Sequence, residues 1–343
     1  MSLCRNFRLH ILAHKPILET SFWRGVPMNI LFSTIPSEQR RESLLKDHPQ
    51  HSIDFVNNLH EHSNLLAKAE VIVTYGEDLT DELIKQAIAL KWVMVISAGI
   101  DQLPHEALMK RDILVTNARG IHPVPMSEYA ISMLLHVKRQ EDQLLENAKH
   151  EIWDRSVRIN EISESTIVVL GAGAIGQEVA RLAKAFRMKT YGVARSNKEV
   201  EHFDKVVAFE HISDVLKEAD YVVAVLPSTP DTKGLFTLNH FKQMKKEAVF
   251  LNMGRGDLVK SEDIIKALEN EYISHAVLDV FEKEPLPKGH PLWTTKNVTI
   301  TPHLSGKSPQ YLPRAFEIFA YNLAQLESGE NNFKNVIDHS KGY

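Results

Sequence analysis

The stretch that most constrains this chain is Ile167-Val168-Val169-Leu170-Gly171-Ala172-Gly173-Ala174-Ile175-Gly176. An apolar run enriched in β-branched residues enters Gly-x-Gly-x-x-Gly directly, and a helical apolar pattern (Val179, Ala180, Leu182, Ala183, Phe186) follows it. That order predicts a buried parallel strand, a tight turn and a helix. Gly171 permits the turn, Gly173 lets phosphate approach the backbone, and Gly176 lets helix and strand pack closely. The first amides of such a helix point at the turn with no partner of their own, which suits the pyrophosphate of a dinucleotide.

The rest of the chain repeats this alternation. Strand-like runs fall at residues 30–33, 71–75, 92–97 and 113–116, with helical or turn-rich segments between them. One of these is a helix predicted over 81–90, with Thr80 as its N-cap. Pro123 and Pro125 punctuate the chain, and the apolar spacing after them predicts one long helix over 126–147. A second series of strands then follows, at 167–170, 189–194, 205–209, 221–226, 248–252, 275–280 and 298–301, with a last helix over 310–326. Alternating β and α units imply parallel sheets covered on both faces. A length of 343 residues suits two such domains.

Charge and cysteine content exclude several classes. The formal net charge of -4 offers no general attraction to nucleic acid or an anionic membrane. Cys4 is the one cysteine, so no internal disulfide can form, and a cytoplasmic location is expected. No apolar run approaches the roughly 20 residues that span a bilayer. The histidines show no metal-ligand spacing, so no metal site is expected. Residues 1–27 are basic, with Arg5, Arg8, Lys15 and Arg24 against one acid, Glu19. They read as an extension of unassigned role, and Met28, just before the first strand, reads as a natural start.

The end of the second strand after the glycines is where an acid would bind the ribose hydroxyls of NAD. Here the sequence runs Gly192-Val193-Ala194-Arg195-Ser196-Asn197-Lys198, with no Asp or Glu before Glu199. Arg195 and Ser196 offer a guanidinium fork and a hydroxyl to a 2′-phosphate. NADP is therefore expected over NAD.

Three later blocks are Asn252-Met253-Gly254-Arg255-Gly256, then Leu278-Asp279-Val280-Phe281-Glu282-Lys283-Glu284-Pro285, then Thr301-Pro302-His303-Leu304-Ser305-Gly306. Earlier in the chain stand Ser97-Ala98-Gly99-Ile100-Asp101 and Leu226-Pro227-Ser228-Thr229-Pro230-Asp231-Thr232. Together with the glycine fingerprint, these blocks resemble the D-isomer-specific 2-hydroxyacid dehydrogenase family from about Trp92 to Gly306.

The resemblance implies Arg255, Glu284 and His303 as the catalytic residues. A 2-oxo acid needs a cation at its carboxylate and carbonyl and an acid for the developing alkoxide. Arg255 suits the first role and His303 the second, with Glu284 orienting His303 and favouring its protonated form. Ala98, Gly99 and Ile100 match the loop whose amides bind the substrate carboxylate, alongside Arg255. The cofactor residues implied are Gly171, Gly173, Ala174, Ile175, Gly176, Arg195, Ser196, Leu226, Pro227, Thr232, Met253, Gly254, Asp279 and His303, with Asp279 near the nicotinamide carboxamide. His122 reads as structural or as part of the rim.

The implied architecture is α/β, with two doubly wound parallel-sheet domains. A Rossmann cofactor domain (123–306) is inserted into a flavodoxin-like substrate domain (28–122 and 307–343), and a cleft separates the two. The implied function is NAD(P)H-dependent reduction of a small 2-oxo acid to the D-2-hydroxy acid, with glyoxylate or hydroxypyruvate as substrates. The alternatives are an NAD-linked enzyme resembling D-3-phosphoglycerate dehydrogenase and a dinucleotide-sensing interaction protein. Formate dehydrogenase, a related family, would carry Gln in place of Glu284. The resemblance also implies a homodimer built on the helix after Pro123, whose apolar stripe Tyr129 and Met133 broaden.

Overall fold

The computed structural model describes residues 24–100 and 102–338. Cys4, most of the basic leading segment and Asp101 lie outside the described residues. Contacts divide the chain into two compact units, one made of the residues up to Arg119 with those from Leu312 onward, the other of Gly120–Tyr311.

The first unit contains β1 (Asn29–Phe32), β2 (Ser52–Phe55), β3 (Val71–Thr74), β4 (Trp92–Val95) and β5 (Leu114–Asn117). They pair in parallel in the order β2-β1-β3-β4-β5, which is flavodoxin-like. Every residue of β3, β4 and β5 is buried, which is why these strands are mostly apolar, with Thr74, Thr116 and Asn117 the buried polar residues at their ends. The edge strand β2 is only half-buried and was invisible as an apolar run. Thr80 does cap the next helix, accepting from Leu83 N at 3.3 Å. That helix, Asp81–Gln86, stops short of residue 90 because Ala87 and Leu90 turn into the core to feed β4.

The C-terminal segment completes this unit. Most of helix Tyr311–Ser328 belongs to it, and Phe319 lies parallel to Trp92 with ring centroids 5.5 Å apart and an interplanar angle of 11°. Ile337 N then donates to Val115 O at 2.9 Å, and Val336 bridges antiparallel to Thr116, so the tail pairs with β5.

The second unit contains β6 (Thr166–Leu170), β7 (Lys189–Ala194), β8 (Lys205–Ala208), β9 (Tyr221–Ala224), β10 (Val249–Asn252), β11 (His275–Leu278) and β12 (Val298–Ile300). The order is β12-β11-β10-β9-β6-β7-β8, all parallel, with the winding reversing between β6 and β9. Side chains alternate along β6: Val168 and Leu170 enter one apolar layer with Phe236, Phe241 and Phe250, while Ile167 and Val169 enter the other. Helices Pro123–Lys138 and Ala174–Ala185 cover that second face.

The single long helix expected over 126–147 is two helices, Pro123–Lys138 and Glu141–Lys149. Gln140 sits between them at φ +54°, in the left-handed region. The residues from Lys138 to Asp142 carry no apolar side chain to hold a continuing helix on the sheet. Instead the ring of His136 reaches past the break to Glu141 (3.2 Å) and Asp142 (3.1 Å). Tyr129 and Met133 are partly buried and pack against their own unit's core. No helix among the described residues is long and apolar enough to cross a membrane.

Candidate active site

In doubly wound sheets, ligands lie beyond the carboxyl ends of the strands where the winding reverses. Here that point joins the ends of β6 and β9. Gly171 takes φ +111°, and a Cβ on Gly176 would lie 2.0 Å from Gly171 O, so the turn and the helix are closed on each other as tightly as glycine allows. A Cβ on Gly173 would meet nothing within 4 Å. Gly173 caps helix Ala174–Ala185, whose first turn starts with Ala174 and Ile175. The geometry fits a pyrophosphate: an open face, a close-packed back and a helix N-terminus.

Across the switch point, Leu226 and Pro227 follow β9. Thr232 closes that loop by donating to Pro227 O at 2.6 Å and accepting from Thr229 N at 2.8 Å. Met253 and Gly254, both buried, follow β10, and a Cβ on Gly254 would lie 2.7 Å from Leu226 O. Arg195 and Ser196 are exposed directly beyond β7. The nearby acid Asp204 is committed at the opposite end of that strand, where it accepts from Thr190 N at 2.9 Å.

Arg255 follows β10 on a turn that Asn252 ties down. Asn252 Nδ2 donates to Arg255 O at 3.0 Å, and its Oδ1 accepts from Gly254 N at 3.2 Å. A Cβ on the next residue, Gly256, would fall 1.9 Å from the carbonyl carbon of Phe281, so this turn is pressed against the chain leaving β11. Arg255 itself is half-buried, and its Nη1 donates to Gly254 O at 2.9 Å.

His303 Nδ1 and Glu284 Oε2 are 2.7 Å apart. The other oxygen, Oε1, accepts from Phe281 N at 3.0 Å, which orients the carboxylate. A carboxylate acceptor assigns the shared proton to Nδ1, so Nε2 is the ring nitrogen turned away from Glu284. His303 has φ +54°, a left-handed conformation uncommon for a residue other than glycine and held here by its surroundings.

What holds it is Asp279, which is fully buried just beyond β11. Its carboxylate accepts from Thr301 Oγ1 (2.5 Å), Leu304 N (2.8 Å) and Ser305 N (2.9 Å), and its backbone oxygen accepts from His303 N (2.9 Å). The loop bearing His303 therefore hangs on one aspartate. Tyr129 supports the same loop, with its hydroxyl 2.7 Å from Thr301 Oγ1; burial pushes this phenol up to about 12. Sequence reasoning missed both roles, since neither partner is local in the chain.

His122 is a further member of the site. Its imidazole is pushed down to about 4, first by burial, then by the charge of Arg255 and that of His303. It lies edge-on to Tyr311 with centroids 5.3 Å apart, and a Cβ on Gly306 would come within 2.8 Å of its Cδ2. The structure thus gathers Arg255, Asp279, Glu284, His303 and His122 in one unit. Ala98, Gly99 and Ile100 lie in the other unit, in the loop after β4, the first two half-exposed and Ile100 buried.

Comparison with known proteins gives the family of the chain. Residues 131–305 match the family model described as D-isomer specific 2-hydroxyacid dehydrogenase, NAD binding domain. The glyoxylate reductase/hydroxypyruvate reductase of Mus musculus is 34% identical over 220 residues, covering 63% of this chain and 67% of its own. The crystal structure of a D-isomer specific 2-hydroxyacid dehydrogenase family protein from Aeromonas salmonicida superposes with a TM-score of 0.82 at 34% identity, over 91% of this chain and 99% of that one. The NADPH-dependent glyoxylate/hydroxypyruvate reductase of Sinorhizobium meliloti, solved with NADP and sulfate, gives 0.78 at 26% identity, over 93% and 100%. A glycine cradle at the switch point, an arginine held between two close-packed glycines and a histidine paired to a glutamate therefore stand in a chain that belongs to the D-isomer-specific 2-hydroxyacid dehydrogenase family.

Proposed function

We propose that this protein reduces a small 2-oxo acid with NADPH, either glyoxylate to glycolate or hydroxypyruvate to its D-2-hydroxy acid, D-glycerate. The observation that carries the reading is the 2.7 Å pairing of His303 Nδ1 with Glu284, which leaves Nε2 as the proton donor. The dinucleotide would be held by the amides around Gly171, Gly173, Ala174, Ile175 and Gly176, with Leu226, Pro227, Thr232, Met253 and Gly254 lining the switch point. When bound, its nicotinamide supplies the hydride. Arg255 binds the substrate carboxylate and polarises the ketone, so negative charge developing on oxygen meets a fixed cation. His303, as the imidazolium with protons on both ring nitrogens, gives that oxygen its Nε2 proton and is left with the Nδ1 proton held by Glu284, which also orients the ring so that Nε2 points outward. Asp279 orients the His303 loop. Ala98, Gly99 and Ile100 offer amides to the carboxylate from the substrate-binding part, residues 28–122 and 307–343, while 123–306 binds the cofactor.

The identity of the cofactor rests on Arg195 and Ser196, exposed beyond β7 in a stretch of sequence that carries no Asp or Glu before Glu199. Turnover of a panel of 2-oxo acids with NADPH and NADH tests function and cofactor together, with 3-phosphoglycerate and NAD as a control. NADPH is expected to give the higher kcat/KM, and Arg195→Asp to erode or reverse the preference by about tenfold or more, by removing a phosphate contact and adding repulsion. Equal use of both cofactors by the wild-type enzyme would contradict this assignment.

Glu284→Gln keeps the shape of the side chain but removes the charge beside His303. The expected result is a kcat lowered by about 10²-fold with the substrate KM little changed, as befits a residue that orients the proton donor. A raised KM at constant kcat would assign Glu284 to substrate binding instead.

We further infer a homodimer and a cytoplasmic location, the latter supported by a sequence whose one cysteine forms no internal disulfide. The dimer is supported by apolar side chains left outside on helix Glu141–Lys149 and the irregular arm after it. Leu145 is 60% exposed, Ile152 53% and Trp153 91%, apolar surface that an interface between two copies would cover. Light scattering at micromolar concentration is expected to give twice the 39.0 kDa of one chain, and Trp153→Asp to lower that mass. A monomer mass for the wild-type protein would refute the dimer.

A further inference from the structure

The loop after β4 carries a feature that the proposed carboxylate-binding role alone does not explain. Its successive carbonyls are each held by a separate donor. Ser97 O accepts from Ala118 N at 3.0 Å, Ala98 O from Asn117 Nδ2 at 2.8 Å, and Gly99 O from Ser97 Oγ at 2.9 Å. His105 Nε2 then donates to Ile100 O at 2.9 Å and tethers the end of the loop. In a trans peptide the N–H points opposite to the carbonyl of the same plane. Fixing the oxygens of Ser97, Ala98 and Gly99 therefore fixes the directions of the amides of Ala98, Gly99 and Ile100. None of those amides donates to another group among the described residues.

We propose that Ser97 and Asn117 are positioning residues that lock the peptide planes of this loop, so that the amides of Gly99 and Ile100 are pre-aimed at the carboxylate of the substrate. The proposal rests on the 2-oxo acid reading and adds the groups that set the strength of carboxylate binding. Pre-aimed dipoles need no reorganisation when the anion arrives, and the advantage is lost if a plane is free to rotate. The two residues differ in how far they are built into the fold. Asn117 is 3% exposed, and its side chain also accepts from Arg119 N at 3.1 Å. Its backbone oxygen accepts from Asn335 of the C-terminal tail at 3.0 Å. Ser97 is half-exposed, and its hydroxyl is also 3.3 Å from Tyr75 O, so it can be altered with less risk to folding.

The test uses the full-length protein and two readouts. One is steady-state reduction of the preferred 2-oxo acid. The other is the calorimetric Kd of oxamate, a non-reducible carboxylate analogue, in the presence of NADPH. Ser97→Ala is expected to raise both the KM and the oxamate Kd about tenfold, with kcat within threefold and the Kd of NADPH unchanged. Ser97→Thr, which keeps the hydroxyl, should restore both. Asn117→Asp keeps the acceptor for Arg119 but loses the donor, and should weaken oxamate binding at least as much. Unchanged KM and oxamate Kd in Ser97→Ala would overturn the proposal. So would an NADPH Kd that moved by the same factor, or a wild-type protein that did not bind oxamate at millimolar concentration. Tight oxamate binding that Ser97→Ala weakens, in a protein that reduces no 2-oxo acid, would uphold the loop assignment and reject the reductase reading.

Discussion

His303→Ala is expected to lower kcat for 2-oxo acid reduction by about 10³-fold at neutral pH, within the range that a positioned general acid contributes. The loss should fall on kcat rather than on cofactor affinity, because the loop bearing His303 is tied to Asp279 through backbone amides and Thr301 that the substitution leaves in place. The other histidine of the site offers no substitute. Burial and neighbouring positive charge hold His122 down to about 4, so near neutrality it carries no imidazolium proton to give. Steady-state kinetics with a fluorescence titration of NADPH separates the two parameters. A variant with kcat within tenfold of wild type would show that the proton comes from elsewhere.

Arg255→Ala should lower kcat/KM by a comparable factor, on the order of 10³, but by a different route. Its guanidinium serves both the substrate carboxylate and the polarised ketone, so KM should rise and kcat fall together. Arg255→Lys should recover only part of the loss, since an ammonium supplies the charge without the fork. Folding should be little affected. The turn is shaped chiefly by Asn252 and by the close approaches at Gly254 and Gly256, to which the Arg255 side chain adds its bond to Gly254 O. Circular dichroism and thermal melting check that point, and a large fall in Tm would mean that the arginine is structural.

Much of the molecule is legible in its sequence because the relevant signals are local. Buried parallel strands such as β3, β4 and β9 read as mostly apolar runs, the glycine fingerprint stands between strand and helix, and Thr80 caps the helix it precedes. The failures are of another kind. The edge strand β2 buries too little to leave a pattern. The helix break falls at Gln140, where the chain turns left-handed and His136 reaches across to Glu141 and Asp142, contacts that periodicity does not register. In the site, the chemistry of Arg255, Glu284 and His303 is suggested by residue type and resemblance. The parts played by Asp279, Tyr129 and His122 depend on partners far along the chain, as in the 2.7 Å contact of Tyr129 with Thr301. Such partners become visible only once the strands are in register.

The order of the two units along the chain bears on how the protein is made. The first unit begins before Gly120 but is finished by residues after Tyr311, so synthesis of the entire second unit intervenes. At ordinary ribosomal rates that delay is on the order of ten seconds or more. Throughout it, Trp92 and Phe32 wait without Phe319, and the β5 edge waits without Val336 and Ile337. The second unit needs nothing from beyond Tyr311 to close its own sheet, so it can reach its native state on the ribosome first. The nascent chain thus exposes an unfinished apolar face at its older end while its younger end is already folded. The apolar face around Trp92 and Phe32 is covered only when Phe319 has been made.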